Sequence, residues 1–278
     1  MGSALADAAL RAGHSTTVWN RSPGRTTPLV EAGADAAATA GDAIDAADVI
    51  VVCLFDQRSV HEVLDPIMDR LTGRQLINLT TTSPDGAREL AAWARAAGVD
   101  YLDGGIMATP GMIGSPASSI LYSGSQRLYD DNRELLETWG RSEYFGEDAG
   151  MASLYDLALL AGMYVMFAGF LHGAAMVGAA GVPANEFATR ASAWLQAVLP
   201  SLSGYAEIVD GGDYAVPGQQ SLQFSDISEI VEASRGQGIS TEVVDMVQTL
   251  IHRQIDAGHG SDGFARVIES IKHPKEAA

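Results

Sequence analysis

Cysteine and lysine are the scarcest chemically useful residues in this chain of 278 residues. The single cysteine, Cys53, excludes an internal disulfide framework and any metal site built from several cysteines. Because Cys53 lies within an apolar run, we expect a core residue of low reactivity. The only lysines, Lys272 and Lys275, lie near the C-terminus. A catalytic lysine in the body of the chain is therefore excluded.

Positive charge is scarce as well. The chain has 17 Lys and Arg against 35 Asp and Glu, a formal net charge of −18. Proteins that bind a nucleic-acid backbone need a basic face, so no nucleic-acid partner is expected. No basic segment followed by an apolar stretch marks a signal peptide, and we expect a cytoplasmic enzyme. The six histidines show no metal-ligand spacing, so no metal site is expected.

One long segment lacks formal charge altogether. The run from Leu157 to Asn185 is long enough to span a bilayer. It is rich in Gly and Ala, however, and is flanked by the acids Asp156 and Glu186 rather than by basic residues. A helix that is apolar all round also suits a position buried between domains or subunits. We favour the buried helix and expect no membrane association.

The first half of the chain alternates short apolar runs with helical patterns. Strands are predicted at residues 15–19, 48–55, 75–79, 99–102 and 119–122. The run at 48–55 is almost continuously apolar, which is typical of a strand buried on both faces. Helices are predicted between the strands, at 26–33, 59–71, 84–97 and 126–139. This alternation predicts a mostly parallel, doubly wound sheet.

The second half is predicted to be helical. Beyond the apolar segment, helical patterns occupy 185–199, 222–237 and 241–257, and strand-like runs are nearly absent. The prediction is an α/β protein with two domains: a doubly wound Rossmann-type domain at 1–148, then an all-helical domain at 149–278. A long inter-domain helix joins them.

A partial glycine motif opens the chain. In a dinucleotide-binding unit, a strand precedes G-x-G-x-x-G and the last glycine opens the first helix. Gly2 precedes a helical pattern in this way. If Gly2 is the last glycine, then Asn20 lies about 20 positions after the first glycine, the usual distance of the ribose-binding residue.

The turn that contains Asn20 has no acid. An Asp or Glu at this position would accept from the ribose hydroxyls and repel a 2′-phosphate. Here the turn carries an amide, a hydroxyl and two guanidinium groups, which suit a phosphate dianion. The alternative is an ordinary polar turn. We predict NADP as the cofactor, bound by Gly2, Asn20, Arg21, Ser22 and Arg25.

The first strand of the expected domain is not visible in the sequence. That strand is central in a doubly wound sheet, so its loss would leave two sheet edges with unpaired amides and carbonyls. We therefore expect Met1 to be an internal methionine and the natural chain to begin roughly ten residues upstream.

Five segments together resemble the NADP-dependent imine reductases, relatives of the β-hydroxyacid dehydrogenases. They are N-R-S-P-G-R at 20–25, N-L-T-T-T-S-P at 78–84, D-G-G-I-M-A-T-P at 103–110, L-Y-D-L-A-L-L-A-G-M-Y at 154–164 and H-G-S-D-G-F-A-R at 259–266. The resemblance covers the whole chain except its front. It implies a domain-swapped homodimer in which a long helix starting near Gly150 links the domains.

The resemblance also implies the catalytic residues. The related dehydrogenases place a lysine on the inter-domain helix, and none is present here. In imine reductases the position matching Tyr164 holds Tyr or Asp and is the proposed proton donor. Asp156, about 12 Å away along the helix, would favour a cationic iminium. The alternatives are a core tyrosine with a satisfied hydroxyl and an aspartate that caps a helix.

Four further residues are candidate cofactor contacts. Leu54 and Phe55 end the strand at 48–55 and are expected near the adenosine. Thr81 follows a strand end, where ligands bind in such sheets, and related reductive aminases carry Asn at this position. Met107 resembles a residue that lines the nicotinamide, although a loop hydrophobe is the alternative.

The predicted function is NADPH-dependent reduction of a cyclic or hydrophobic imine to an amine. One alternative is a β-hydroxyacid dehydrogenase-like reductase of small carbonyl acids, against which the missing helix lysine counts. Another is a non-catalytic NADP-binding protein or truncated pseudoenzyme, which the missing first strand supports.

Overall fold

The computed structural model describes residues 1–215 and 217–274 in two compact units. Lys275 lies outside the described residues. The first unit is Met1–Ala161 and the second is Gly162–Ala278. The first is an α/β unit and the second is helical, which confirms the predicted fold class.

The first unit alternates helices and strands. Its seven strands are β1 (Thr17–Val18), β2 (Asp35–Ala36), β3 (Val49–Val52), β4 (Gln75–Asn78), β5 (Asp100–Met107), β6 (Ser119–Gly124) and β7 (Arg141–Tyr144). Its shorter helices are α1 (Gly2–Arg11), α2 (Thr27–Glu31), α3 (Ala40–Asp45), α4 (Gln57–Leu64), α5 (Met68–Leu71), α6 (Pro84–Ala96), α7 (Gln126–Asp131) and α8 (Arg133–Thr138). The prediction missed β2, α3 and β7, which are too short to show a period.

The strands form two sheets. Five of them run in the order β3-β4-β5-β6-β7, and β1 pairs with β2 in a separate sheet. All pairs are parallel except β5 with β6, where Gly105 lies opposite Leu121. In the parallel register Val52 pairs with Asn78, and Asn78 pairs with Asp103. The carboxyl ends of β3 and β4 therefore reach the same edge of the sheet.

Strand β3 is less buried than predicted. Of its four residues only Val52 is buried, and Val51 is 37% exposed. The reason is its place in the sheet, because β3 pairs with β4 alone and its other edge is open among the described residues. The prediction that the run at 48–55 is buried on both faces is therefore wrong for the described residues.

Two predicted helices are interrupted. The helix predicted at 59–71 begins at Gln57 and changes at Asp65–Ile67 to a 3₁₀ turn that contains Pro66, which cannot donate a helical hydrogen bond. The helix predicted at 126–139 divides at Asn132, whose φ of −111° and ψ of 15° are not helical.

Apolar side chains cover both faces of the larger sheet. The indole of Trp139 donates a hydrogen bond of 3.0 Å to the carbonyl of Leu5, which ties α1 to the end of α8. One buried cluster comprises Leu5, Ile77, Leu79, Leu102, Ile120, Tyr122, Leu128, Leu136 and Trp139, with their neighbours. The other comprises Ile44, Val52, Val60, Leu64, Leu71, Leu76, Leu90 and Tyr101. These clusters hold the ends of β4 and β5 in place.

The longest helix, α9 (Gly150–Ala179), begins in the first unit and ends in the second. It is long and apolar enough to cross a membrane, yet only 6% of its most apolar stretch is buried. Within the described residues most of this stretch is therefore exposed, and its burial against a second subunit stays a prediction. Its side chains are too apolar on every side for one chain to cover them.

The second unit consists of helices after α9. They are α10 (Ala184–Val198), α11 (Ser201–Gly211), α12 (Ser228–Gly236), α13 (Glu242–Gln254) and α14 (Val267–Lys272). The helix predicted at 222–237 starts only at Ser228, because the Asp226 carboxylate accepts from the Ser228 amide at 2.9 Å and turns the chain there. Helices α11 and α14 were not predicted.

Candidate active site

The carboxyl edge of the larger sheet lies beside the amino end of α1. A Cβ added at Gly2 would lie 3.7 Å from both the Cβ and the carbonyl oxygen of Cys53, just after β3. Within the described residues the N-cap Met1 makes no side-chain cap and no acid occupies the first turn of α1; the Gly2 amide faces the Cys53 thiol. Burial raises the pKa of the Cys53 thiol, as expected for an unreactive residue. This end of the sheet can therefore hold a phosphate group.

The turn after β1 is ordered by its own side chains. The Asn20 Oδ1 atom accepts from the Ser22 amide at 2.9 Å, and a 3₁₀ turn at Pro23–Arg25 follows. Arg21 and Arg25 are exposed, and neither pairs with an acid among residues 1–215 and 217–274. In a chain of net charge −18, two unpaired guanidinium groups on one turn form a local site for an anion.

The segment after β3 is held by the neighbouring strand. The Leu54 amide donates to the Thr80 hydroxyl at 2.9 Å, and the Asp56 carboxylate caps α4 through the Ser59 amide at 2.8 Å. Between them, Phe55 is 90% exposed. The ring of Phe55 is thus presented to solvent at the carboxyl edge of the sheet.

Thr81 and Met107 lie close to the ends of neighbouring strands. Thr81 is exposed just beyond β4, and Met107 is the half-buried last residue of β5. The buried threonine is Thr80, whose amide donates to the Asn78 Oδ1 atom at 3.3 Å. Of the adjacent threonines, Thr80 holds the backbone and Thr81 faces outward.

A buried polar cluster lies where β4, β5 and the start of α9 meet. The Asp103 carboxylate, 1% exposed, accepts from Tyr101 Oη at 2.8 Å, from Asn78 Nδ2 at 3.3 Å and from Ser153 Oγ at 2.9 Å. Burial raises the pKa of Asp103 to about 6, and the negative charge of Asp156 adds to the rise. This cluster was not predicted, although the alternation of Tyr101, Asp103 and Gly105 places all three on one face of β5.

Asp156 is buried one helical turn beyond Ser153. Burial raises the pKa of Asp156 to about 6. Among the residues that the structure describes, its carboxylate has no hydrogen-bond partner and no cation within 4.0 Å. Because α9 begins at Gly150, Asp156 is not a helix cap.

Gly105 makes room for Asp156. A Cβ added at Gly105 would lie 2.6 Å from the Asp156 Cβ and 3.0 Å from its Cγ, far inside van der Waals contact. The absence of a side chain at Gly105 thus allows the first turns of α9 to approach β5.

Replacing Gly105 with alanine is expected to lower the free energy of unfolding by about 1–3 kcal/mol, because the added methyl group would push α9 away from β5. Urea unfolding measures the loss. The matched control is Gly111→Ala, because a Cβ at Gly111 meets nothing within 4 Å and that variant should unfold like the parent. If both variants have the stability of the parent, the close approach is absent in solution.

Tyr164 belongs to the second unit, whereas Asp156 belongs to the first, although both are on α9. Tyr164 is 65% exposed and its hydroxyl has no hydrogen-bond partner within the described part of the chain. The alternative of a core tyrosine with a satisfied hydroxyl is therefore wrong for the single chain. No group of three or more potential metal ligands occurs among residues 1–215 and 217–274.

Family models match both halves of the chain. Residues 1–147 match the NAD binding domain of 6-phosphogluconate dehydrogenase, and residues 148–273 match the C-terminal domain of NADPH-dependent reductive aminase-like proteins. The two matches meet within the turn that precedes α9.

Relatives of known activity match over nearly the full length. An NADPH-dependent reductive aminase of Aspergillus oryzae is 39% identical, with 98% of this chain and 94% of the relative covered. A reductive aminase of Aspergillus terreus, solved with NADPH and ethyl-5-oxohexanoate, has a TM-score of 0.93 and 41% identity over 98% of this chain and 95% of its own. An imine reductase of Myxococcus stipitatus, solved with NADP⁺, has a TM-score of 0.89 and 35% identity over 98% and 96%.

Proposed function

The chain belongs to the family of NADPH-dependent imine reductases and reductive aminases, and from this membership we propose that it reduces the C=N bond of a hydrophobic, preformed imine. It is an NADPH-dependent oxidoreductase whose product is an amine. The observation that carries the proposal is the similarity over both halves of the chain, because it includes the dinucleotide-binding unit and the helical unit together.

The first unit fits NADPH. The uncapped amino end of α1 at Gly2 suits the diphosphate, and the acid-free turn after β1 suits the 2′-phosphate. When bound, NADPH supplies the hydride that reduces the imine carbon. The residues proposed to hold it are Gly2, Asn20, Arg21, Ser22 and Arg25 at the phosphates, Leu54 and Phe55 at the adenosine, and Thr81 and Met107 at the nicotinamide.

Tyr164 is proposed to give the proton to the substrate nitrogen. A phenol is a neutral hydrogen-bond donor, so it enters an apolar pocket without bringing a charge. Its exposed, unpartnered hydroxyl supports this role, since nothing within the described residues competes for the proton.

Asp156 is proposed to stabilise the positive charge of the iminium. The carboxylate is buried without a cation of its own, so a cationic substrate nitrogen would supply the missing counter-charge. No lysine occurs on α9, so a helix lysine cannot take either role.

We further propose that Thr81 favours preformed imines. The family resemblance implies Asn at this position in related reductive aminases, and a threonine hydroxyl here would replace an amide that has both a donor and an acceptor. The enzyme should then use a stable imine better than a mixture of ketone and amine.

The exposed apolar surface of α9 supports a homodimer, which we propose to be domain-swapped. The large apolar side chains exposed on this helix include Leu159, Val165, Met166, Phe167 and Leu171. A soluble monomer rarely leaves so large an apolar surface uncovered, and a second copy of the chain would bury it.

The variant Leu171→Glu is expected to weaken dimerisation by about a hundredfold, because an unpaired carboxylate would be buried at the interface. Light scattering with size-exclusion chromatography measures the mass. Val30→Glu is the matched control, since Val30 is an exposed apolar residue on α2 of the first unit. A monomeric parent, or a Leu171→Glu protein as dimeric as the parent, would contradict the proposal.

We also propose a cytoplasmic location, where NADPH is available.

The experiment that tests the function is oxidation of NADPH in the presence of 2-methyl-1-pyrroline, run beside NADH. Turnover with NADPH and little with NADH is expected, together with slower turnover when a ketone and an amine replace the imine. A folded protein that binds NADPH but reduces no imine would refute the proposed reaction.

A further inference from the structure

The buried carboxylate of Asp103 has no place in the proposed reaction. It lies in the middle of β5, beneath the first turns of α9, and only 1% of the residue is exposed. Burying a charged group costs free energy unless something offsets the cost, so a carboxylate at this depth needs an explanation.

Three neutral groups hold this carboxylate. Tyr101 and Asn78 donate to its Oδ1 atom at 2.8 and 3.3 Å, and Ser153 donates to Oδ2 at 2.9 Å. The donors come from β5, β4 and α9 respectively, so Asp103 joins all three elements. Its position is therefore fixed on every side.

Among residues 1–215 and 217–274, no cation pairs with the carboxylates of this cluster. The titratable groups that face Asp103 are Tyr101 on its own strand and Asp156 on α9. Arg88 on α6 lies close to the start of α9, at 2.8 Å from a Cβ added at Gly150, but its guanidinium is held by Asp148 and Asp85 at 2.8–2.9 Å. Within the described part of the chain, the charge of Asp156 thus acts on Asp103 without a counter-ion.

Asp156 depends on the same contacts for its position. Ser153 and Asp156 are three residues apart and share one face of α9. Ser153 is bonded to Asp103, and Asp156 packs over Gly105, two residues further along the same face of β5. The hydrogen bond between Ser153 and Asp103 therefore fixes the rotation of α9 and its position along β5. Both determine where Asp156 contacts the strand.

We propose that Asp103 is a positioning residue for Asp156: it seats the first turns of α9 on β5, so that the two buried carboxylates form one electrostatic unit. The two carboxylates act as one unit that retains a proton more readily than either would alone. The inference rests on the proposed function, because it assumes that the ionised Asp156 stabilises a cationic imine.

The test is the pH dependence of kcat/KM in the variant Asp103→Asn. Asparagine keeps the shape and removes the charge: its oxygen can still accept from Tyr101 and Asn78, and its NH2 group can donate to the Ser153 hydroxyl. Because the interaction between two charges is mutual, Asp156 should then ionise at lower pH. The acid limb of the pH profile should move to lower pH by about half a unit or more, and it should take the form of a single ionisation. A merely structural role would lower activity equally at every pH.

Ser123→Ala is the matched control. The Ser123 hydroxyl donates to the Ala149 carbonyl at 2.8 Å and accepts from the Ala152 amide at 2.9 Å, so it holds the start of α9 without touching either carboxylate. It should lower stability and leave the acid limb in place. A limb that shifts equally in both variants, or in neither, would overturn the proposal.

A second measurement does not depend on activity. Because the pKa of each acid is raised to about 6 in the folded protein, the folded state binds more protons than the unfolded state between about pH 4 and 6. Stability should therefore fall as the pH rises through this range, and fall less in Asp156→Asn, where one charge is gone. This variant leaves Asp103 unaltered and keeps the test available if Asp103→Asn does not fold.

A double-mutant cycle followed by urea unfolding measures the coupling free energy between the two carboxylates directly. It consists of Asp103→Asn, Asp156→Asn and the double variant. The coupling should be present at pH 7.5, where both carboxylates are charged, and absent at pH 4, where both are protonated. A coupling that is zero, or equal at the two pH values, would refute the inference. An enzyme that reduces no imine but retains the pH-dependent coupling would refute only the proposed function.

Discussion

Replacing Tyr164 with phenylalanine is expected to lower kcat for imine reduction by about a hundredfold or more, with binding of NADPH unchanged. Phenylalanine keeps the ring and removes the hydroxyl proton, so only the transfer of that proton to the substrate nitrogen is lost. Steady-state kinetics with a cyclic imine, together with a fluorescence titration of NADPH, separate the two quantities. The effect on kcat should exceed that on KM.

Tyr155→Phe is the control for this experiment. Tyr155 is also an exposed tyrosine on α9, and its ring packs against Phe145 with a centroid distance of 4.3 Å. Losing the Tyr155 hydroxyl should change kcat little. If Tyr164→Phe turns over as fast as the parent, the phenol is not the proton donor and Asp156 or water must provide the proton.

Removing both arginines from the turn after β1 should have a similarly large effect on the cofactor. The double variant Arg21→Ala/Arg25→Ala is expected to lose about two orders of magnitude in kcat/KM for NADPH, because two charge-assisted hydrogen bonds to the 2′-phosphate disappear. The kcat/KM for NADH should stay almost constant, since NADH has no phosphate there. Varying each cofactor at a saturating imine concentration measures both values.

Arg11→Ala tests whether the loss is local. Arg11 is an exposed arginine of the same unit and pairs with Asp7 at 2.8 Å within α1, far along the helix from its amino end. Its removal changes the net charge of the protein but should leave the preference for NADPH unchanged. Equal losses with NADPH and NADH in the double variant would show that the turn supports the fold rather than the 2′-phosphate.

The sequence was sufficient to predict the alternation of strands and helices in the first unit. Apolar runs such as Gln75–Asn78 are short and bounded by turn residues, and Ser83 caps α6 through the Gly86 amide as its position before Pro84 suggests. The acid-free turn at 20–25 was equally visible, because an Asp or Glu about 20 positions after the first glycine is typical of NAD and its absence favours NADP.

Burial of individual elements was harder to predict. The apolar run of β3 looks like a central strand, yet it is an edge strand among the described residues because its exposure depends on which strand lies beside it. The composition of α9 similarly indicates that another protein surface covers the helix, but it does not identify that surface. Both properties depend on partners that a single stretch of sequence does not identify.

The polar cluster was missed for a different reason. Asn78, Asp103 and Ser153 are separated by 25 and 50 residues along the chain and meet only through the sheet register. Gly105, over which Asp156 packs, looks like an ordinary loop glycine in the sequence. Its close approach to Asp156 becomes evident only when α9 is placed on β5.

The central claim is that this enzyme reduces a C=N bond with NADPH, and deuterium transfer tests it most directly. NADPH deuterated at C4 on the transferred face is incubated with the enzyme and 2-methyl-1-pyrroline, and the product is analysed by mass spectrometry and NMR. The account predicts one deuterium on the carbon that was part of the C=N bond, and none when NADPH is omitted. Consumption of NADPH without deuterium at that carbon would contradict it, and so would the absence of any reduced amine from a folded protein that binds NADPH.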